Sequence, residues 1–187
     1  MPALHAWMHE ATETDLPNPN AMTLATVDPD GRPSARIVLL RGLDERGAVF
    51  FTNRNSRKGL GLEANKVAAL VFHWDTMERQ IRIEGRVEHV SEAESDAYWQ
   101  GRPRGSQLAA RASRQSHPIK NREAFETACR EEEARFEGRD VERPSHWGGY
   151  RVSLERIEFW LGMNSRMHDR ITYRATEGGW DVERLSP

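Results

Sequence analysis

Apolar positions along the chain first recur at helical spacing. Leu4, Trp7 and Met8 fall on one side of a short helix predicted within the first fifteen residues, and "LPNPN" ends it. From Ala21 onward the period shortens to two. "AMTLATVD" alternates as a strand does, and "PDGRP" supplies a turn after it. "SARIVLLRGLD" and "GAVFFTN" are apolar, β-branched and aromatic, and "DERG" between them predicts a hairpin. "VAALVFHWD" and "RQIRIEGRVEHVS" predict two more strands. In the second, Ile81, Ile83 and Val87 intersperse with Arg82, Glu84 and Arg86, with Gly85 interrupting the alternation.

Helical signals lie between the strands. Ser56 is the expected N-cap of "SRKGLGLEAN". Ser91 and Glu94 have the spacing of a capping box opening "EAESDAYWQ". "GSQLAARAS" predicts another helix, and Asn121 caps "REAFETACREEEARF". There Phe125, Cys129 and Phe136 sit loosely on one face and Glu131–Glu133 read as a solvated one. "WGGYRVSLERIEFWLG" and "RITYRATEGGWDVERLSP" return to strands, the latter a hairpin turning at Glu177-Gly178-Gly179. Strands outnumber helices, and the short loops between the early ones favour antiparallel pairing. The expectation is a mainly β domain with flanking helices, its sheet a closed or nearly closed barrel. With no repeat or linker, residues 1–187 form one domain, of which 1–20 are an N-terminal helix and connection.

Composition narrows the function classes. A net charge of −2 and a pI near 6.4 provide no global field to recruit nucleic acid or an anionic membrane. Anion binding therefore has to come from local arginine clusters. The lone Cys129 excludes an intrachain disulfide framework and fits a reducing cytoplasm. No apolar run approaches a membrane span, the N-terminus lacks a signal-peptide pattern, and the seven histidines form no metal-binding spacing, so no metal is expected.

Three clusters carry candidate chemistry. In "EFWLGMNSRMHDR", Arg166, His168 and Arg170 occupy every second position, so an extended segment points all three one way and Met167 and Asp169 the other, with Trp160 upstream. A solvated edge strand explains that pattern equally well. Arg36 and Arg41, of opposite parity in an apolar strand, suit two separate anions unless a bulge near Gly42 reorients one. Thr52, Ser56, Arg57 and Lys58 lead into a helix N-terminus, a donor set suited to a phosphate dianion, though a capped helix beside solvated cations reads the same way. Tyr98, Arg102 and Ser106, spaced by four, form a third phosphate-sized set, with Pro103 opposing a continuous helix. Gln115 and Ser116 add uncharged donors in a loop, and Gln80 needs partners if buried within its strand. A phosphorylated ligand, or two, follows from these residues; a reaction does not.

Taken in order, "RIVLLRG", "FFTNRNSRK", "ERQIRIEG", "RPRGSQ", "RQS", "FWLG…RMHDR" and the terminal "VERLSP" resemble the pyridoxamine 5′-phosphate oxidase family from about Ala21 to Pro187. The resemblance implies a split β-barrel homodimer with FMN in clefts at the subunit interface. It implies that Arg36, Thr52, Arg57 and Lys58, with Gln115 and Ser116, contact the FMN phosphate and ribityl chain, that Ile37, Val38, Leu39 and Phe51 contribute to the same cofactor site, and that Gln80, Trp160 and Arg170 lie against the flavin. Arg41, Tyr98, Arg102 and Ser106 would hold a substrate phosphate, and Arg166 and His168 would stand over the substrate ring at the reacting carbon. The implied reaction is oxidation of pyridoxine or pyridoxamine 5′-phosphate by O₂, releasing H₂O₂.

Two alternatives stay open: an FMN oxidase of another conjugated ring, of the phenazine type, and a non-catalytic flavin- or pyridoxal-phosphate-binding module. Arg41 and Phe51 stand where many members of the family have lysine and tyrosine. The basic, tyrosine-bearing segment that often precedes the first helix is absent from the sequence. Weaker substrate retention is the expectation, measurable as a Michaelis constant above that of longer relatives; an equal constant contradicts it.

Overall fold

The computed structural model describes residues 1–187. Helix α1 (Pro2–Thr12) precedes β1 (Ala21–Val27), β2 (Pro33–Leu39), β3 (Gly42–Asp44) and β4 (Gly47–Asn53). Helix α2 (Arg57–Ala64) leads to β5 (Val67–Trp74) and β6 (Arg79–His89). Helices α3 (Glu92–Gln100), α4 (Arg104–Ala112) and α5 (Arg122–Arg135) follow in one block. Strands β7 (Trp147–Val152), β8 (Arg156–Leu161), β9 (Asp169–Thr176) and β10 (Gly179–Leu185) complete the chain.

All pairings are antiparallel, in the order β10-β9-β8-β6-β5-β1-β2 with β7, β4 and β3 branching from β6. Leu24, Leu70, Ile83 and Ile157 lie in register across β1, β5, β6 and β8, all with no exposed surface. Burying each is worth about 1.5–3 kcal/mol, and slipping one strand by a residue would turn its share outward. This row fixes the register of the sheet.

Strand β6 exchanges partners midway. Residues 79–84 pair with β8 and residues 87–89 with β7. Gly85 sits at the exchange, where a Cβ would lie 2.0 Å from the Ser153 carbonyl oxygen. It keeps the inward parity of Ile81, Ile83 and Val87 rather than interrupting it. The sheet curls through this corner without closing. No ladder joins β2 to β4, and a bond from the Arg41 N–H to the Val49 carbonyl (2.8 Å) links that region, so the barrel is split, not closed.

The predicted caps form. Ser56 Oγ accepts from the Gly59 N–H, Ser91 and Glu94 make a reciprocal box, and Asn121 Oδ1 accepts from the Ala124 N–H. Two expectations need correction. "SARIVLLRGLD" is two strands separated at Leu40–Arg41. As Pro103 implies, no continuous helix runs through Tyr98, Arg102 and Ser106: α3 ends at Gln100, and Pro103, unable to donate, caps α4. In α5, Phe125 and Cys129 are half-buried and Phe136 beyond its end is buried, as their spacing predicts, but Glu132 is not solvated as Glu131 and Glu133 are. Glu132 pairs with Arg111 of α4 at 2.7 Å with both side chains largely covered.

A second apolar cluster under α3–α5 contains Trp99, Leu108, Phe136, Val141 and Trp147. Strand β7 meets it through Gly149, where the Phe51 ring of β4 lies flat on the backbone. A Cβ there would come within 2.5 Å of Val90 and 2.7 Å of Phe51. Gly149→Ala is expected to cost about 1–3 kcal/mol, read as a lowered melting temperature. Gly105→Ala in α4, which meets nothing within 4 Å, should leave it unchanged or slightly raised. Equal melting temperatures for the two variants would contradict this packing.

Candidate active site

Arg36 projects from edge strand β2 opposite Leu24 and is held by the Leu24 carbonyl (3.1 Å), Thr26 Oγ1 (2.8 Å) and Ser34 Oγ (2.8 Å). Facing it, Thr52 of β4 donates to Gln115 Oε1 (3.2 Å), and Lys58 Nζ donates to the same oxygen at 2.9 Å. Burial, and then the neighbouring Arg36 charge, push Lys58 down to about 8. Burial likewise lowers Arg36, opposed by Asp28 and reinforced by Arg57. Arg57 donates through Nε (2.8 Å) and Nη2 (2.6 Å) to Asp28 Oδ2. Ser116, in a left-handed conformation (φ 70°), lines a cavity of about 390 Å³ with Asn55, Arg57 and His117. Ile37 is exposed, and Val38 and Leu39 are half-buried, on the strand edge that no ladder covers.

The second set surrounds an aromatic wall. Phe51 stacks on Tyr98 (centroids 4.0 Å apart, planes within 5°) and on Trp147 (5.7 Å). The Arg102 guanidinium carbon lies 4.7 Å from the Trp147 centroid and 5.6 Å from that of Trp99, and Arg41 stands 5.8 Å over Tyr98. Although no single helix joins them, the turn at Pro103 brings Arg102 to Ser106, whose carbonyl takes Nη2 at 3.1 Å. Burial lowers Arg102, and its Nε is buried without a partner. A cavity of about 360 Å³ joins both sets, lined by Thr52 and Gln115 from the first and Phe51, Arg102, Ser106 and Trp147 from the second. A larger groove, about 880 Å³, runs over the outer sheet face past Ala25, Ala69 and the Arg156–Glu84 pair. Of its three arginines, Arg86 and Arg156 are already paired with Glu155 and Glu84 from the same walls, and Arg174 is exposed.

The third set lies elsewhere. Gln80 pairs with Trp160 and Trp160 with Arg170, a row across β6, β8 and β9. Gln80 alternates with the inward Ile81 and Ile83, so this row occupies the face opposite the core, whereas Arg36 shares the face of Leu24. Arg170 donates to Glu158 Oε1 (2.9 Å), a buried carboxylate that Arg82 also reaches (3.4 Å); the Glu158 contact raises Arg170. The predicted alternation of Arg166, His168 and Arg170 on one strand does not occur. Ser165 (φ 58°) and Arg166 (φ 60°) form a left-handed turn closed by the Met167 N–H on the Asn164 carbonyl (3.2 Å), and β9 starts only at Asp169. His168 nevertheless returns to Trp160 (centroids 4.6 Å), and its Nδ1 accepts from the Met163 N–H (3.1 Å). Trp147, Asp28 and Glu158 escaped the sequence reading. A tryptophan before two glycines was the one available signal, and the two acids look like ordinary turn and strand residues.

The donors fit a flavin mononucleotide phosphate: two desolvated cations, a hydroxyl and a capped helix start converge where a dianion needs them. Comparison with known proteins agrees in kind. A family model described as pyridoxamine 5′-phosphate oxidase matches residues 8–136, and one described as the pyridoxine 5′-phosphate oxidase C-terminal dimerisation region matches residues 147–187. A pyridoxine/pyridoxamine 5′-phosphate oxidase of Rubrobacter xylanophilus is 57% identical over 97% of this chain and 83% of its own length. One from Pseudomonas putida is 55% identical over 98% and 86%. Among solved structures, PhzG of Burkholderia lata, in complex with tetrahydrophenazine-1-carboxylic acid, superposes with a TM-score of 0.93 at 32% identity, covering 100% of this chain and 91% of that one. An FMN-binding protein of Nostoc punctiforme shares the fold (TM-score 0.78, 20% identity, coverage 100% and 96%). No helix of the chain is long and apolar enough to cross a membrane.

Lys58 supplies a pH test. A bound phosphate favours its charged form, so binding takes up a proton above the free-protein value of about 8. FMN affinity, followed by quenching of flavin fluorescence, should be level from neutral pH to near 8 and fall above it. Lys58→Met should bind more weakly and lose that fall. A level profile to about pH 9.5 in the parent protein would exclude Lys58 as a phosphate contact.

Proposed function

Because the chain belongs to the pyridoxamine 5′-phosphate oxidase family and is an FMN-dependent oxidase of that type, we propose that it converts pyridoxine or pyridoxamine 5′-phosphate to pyridoxal 5′-phosphate in vitamin B6 formation and salvage. One observation carries the reading: a single cavity joins Thr52 and Gln115 of the cofactor set to Arg102 and Ser106 of the substrate set. Two phosphate-sized donor groups at one cavity suit two phosphorylated ligands meeting there.

The flavin, when bound, supplies two-electron acceptance, with O₂ as final oxidant and H₂O₂ as its product; the amine substrate also consumes water and releases ammonia. The protein's own work is placement. Arg36, Thr52, Lys58 and Gln115, with Arg57 and Ser116, hold the cofactor phosphate end. Arg102, backed by Trp147, holds the substrate phosphate with Ser106, Tyr98 and Arg41. Gln80, Trp160 and Arg170 form a flat platform suited to a ring system. That platform lies on the opposite sheet face from the cation set, so it serves the cavity of a second protomer. Residues 147–187, the stretch matched by the dimerisation region, contain Trp160, Arg166, His168 and Arg170.

His168 receives a backbone hydrogen bond at Nδ1, which leaves the neutral ring its proton on Nε2. In that tautomer it donates toward the substrate and orients the group at the reacting carbon. Accepting a proton at Nε2 requires the Met163 bond to break. Arg166, exposed on its left-handed turn, supplies the second cation over the substrate ring.

A second reading, oxidation of a reduced phenazine-type ring, is favoured by the likeness to PhzG. The phosphate-sized Arg102, Ser106 and Arg41 group weighs against it. Protein loaded with FMN should release peroxide and form pyridoxal 5′-phosphate from pyridoxine 5′-phosphate, and release none with tetrahydrophenazine-1-carboxylic acid; the reverse selectivity establishes the second reading. Replacing both Arg166 and His168 with Ala should lower kcat at least about 10²-fold while the flavin absorbance band persists. Unchanged turnover in that variant removes both residues from the reaction.

A further inference from the structure

Asp28 is an acid placed where an anion has to bind. It follows β1, its side chain is 9% exposed, and its backbone is pinned. Its N–H donates to the Arg32 carbonyl (2.8 Å), and its own carbonyl accepts from Gly31 N–H (2.8 Å) and Asn65 Nδ2 (3.3 Å). Both Arg57 bonds fall on Oδ2, and Oδ1 is buried without a partner. Helix α2 closes over this turn: a Cβ at Gly61 would lie 3.1 Å from the Val27 carbonyl and 3.6 Å from Asp28 Oδ1. The charged groups nearby are Arg36, Arg57 and Lys58, with exposed Asp30 paired to Arg32 at 3.2 Å. Thus one buried carboxylate acts on two of these cations, Arg36 and Arg57.

Two effects compete. The negative charge of Asp28 repels a dianion. Its grip on Arg57 organises that dianion's ligand, because the Arg57 side chain is 61% exposed and, without Asp28, free to rotate into solvent. The carboxylate is already neutralised by two short bonds, so its long-range repulsion is small while its geometric constraint is complete.

We propose that Asp28 is a positioning residue for the cofactor phosphate, holding the Nε and Nη2 edge of Arg57 so that Nη1 remains free to donate to the phosphate. This rests on the reading of Arg57 as a phosphate contact. Asp28 touches neither cofactor nor substrate itself, and its removal acts through Arg57.

A double-mutant cycle on the full chain tests it. Asp28→Asn, Arg57→Ala and the double variant are compared by flavin fluorescence quenching with FMN and with riboflavin, which lacks the phosphate. Melting temperatures are taken without flavin. Asp28→Asn should weaken FMN about tenfold or more, leave riboflavin unchanged, and add nothing once Arg57 is Ala. Asp28→Ser replaces Asp28→Asn if the latter does not fold. FMN bound equally or more tightly by Asp28→Asn, while Arg57→Ala binds it more weakly, overturns the inference and leaves Arg57 as a contact. FMN binding unaffected by Arg57→Ala overturns both the inference and the Arg57 assignment, whereas peroxide release judges the oxidase reading separately. Equal losses for FMN and riboflavin reveal a role in the fold and also overturn it.

Discussion

A strand has two faces, and in this chain the core claims one of them. Leu24, Leu70, Ile83 and Ile157 meet in register and exclude water completely, so each neighbour at odd spacing is committed to the other side. Gln80, Arg82 and Glu84 are outward because Ile81 and Ile83 are inward. Trp160 and Glu158 are outward because Phe159 and Ile157 are inward. The aromatic platform is therefore a by-product of core packing, as is its separation from the Arg36 cluster. Glu158 extends the constraint. A carboxylate 4% exposed needs counter-charges, and Arg82 and Arg170 provide them, so the arginine of the platform is held by the acid it neutralises.

The two donor clusters at and beside the cavity contain partly desolvated cations. Burial is the leading cause lowering Arg36, Lys58 and Arg102 alike. The fold tolerates this because each has a partial substitute for water: carbonyl and hydroxyl oxygens for Arg36, Gln115 for Lys58, indole faces for Arg102. None of these substitutes carries a full negative charge. An anion approaching these clusters therefore meets donors whose hydration is already partly removed, in a protein whose net charge of −2 would otherwise repel it. The glycines of β7 make the arrangement possible. Gly148 admits the Arg54 guanidinium and Gly149 the Phe51 ring against bare backbone, which lets Phe51, Tyr98 and Trp147 stack beneath Arg102.

Most of the strand architecture is legible in the sequence, because a period of two and the turn residues between runs are local signals. The helix caps are legible for the same reason. What escapes depends on contacts distant in sequence. The break at Leu40–Arg41 is invisible in an apolar run, since the hydrogen bond that marks it goes to Val49. Glu132 reads as solvated until Arg111 is brought across from α4. Asp28 reads as a turn acid until Arg57 folds back onto it. The members of the donor clusters were readable as residue types, but their grouping was not: Thr52 and Gln115 are 63 positions apart and share a hydrogen bond.

The turn at Asn164–Met167 is where the alternation read from the sequence breaks down. Alternation would have placed Arg166, His168 and Arg170 at equal intervals on one rigid strand. Two consecutive non-glycine residues at positive φ cost about 1–2 kcal/mol each, and Ser165 and Arg166 adopt that conformation. The consequence is a division of labour along five residues. Arg170 stays in the ladder, opposite Trp160 and bonded to Glu158. Arg166 leaves the sheet on an exposed turn, and His168 folds back over Trp160 with one nitrogen occupied by backbone. A straight strand would have spaced these groups along one line on one surface. The turn instead tilts an imidazole against the Trp160 ring, with 39° between the planes, and leaves Arg166 exposed outside the ladder. Strain at that point follows from geometry that alternation along a strand cannot supply.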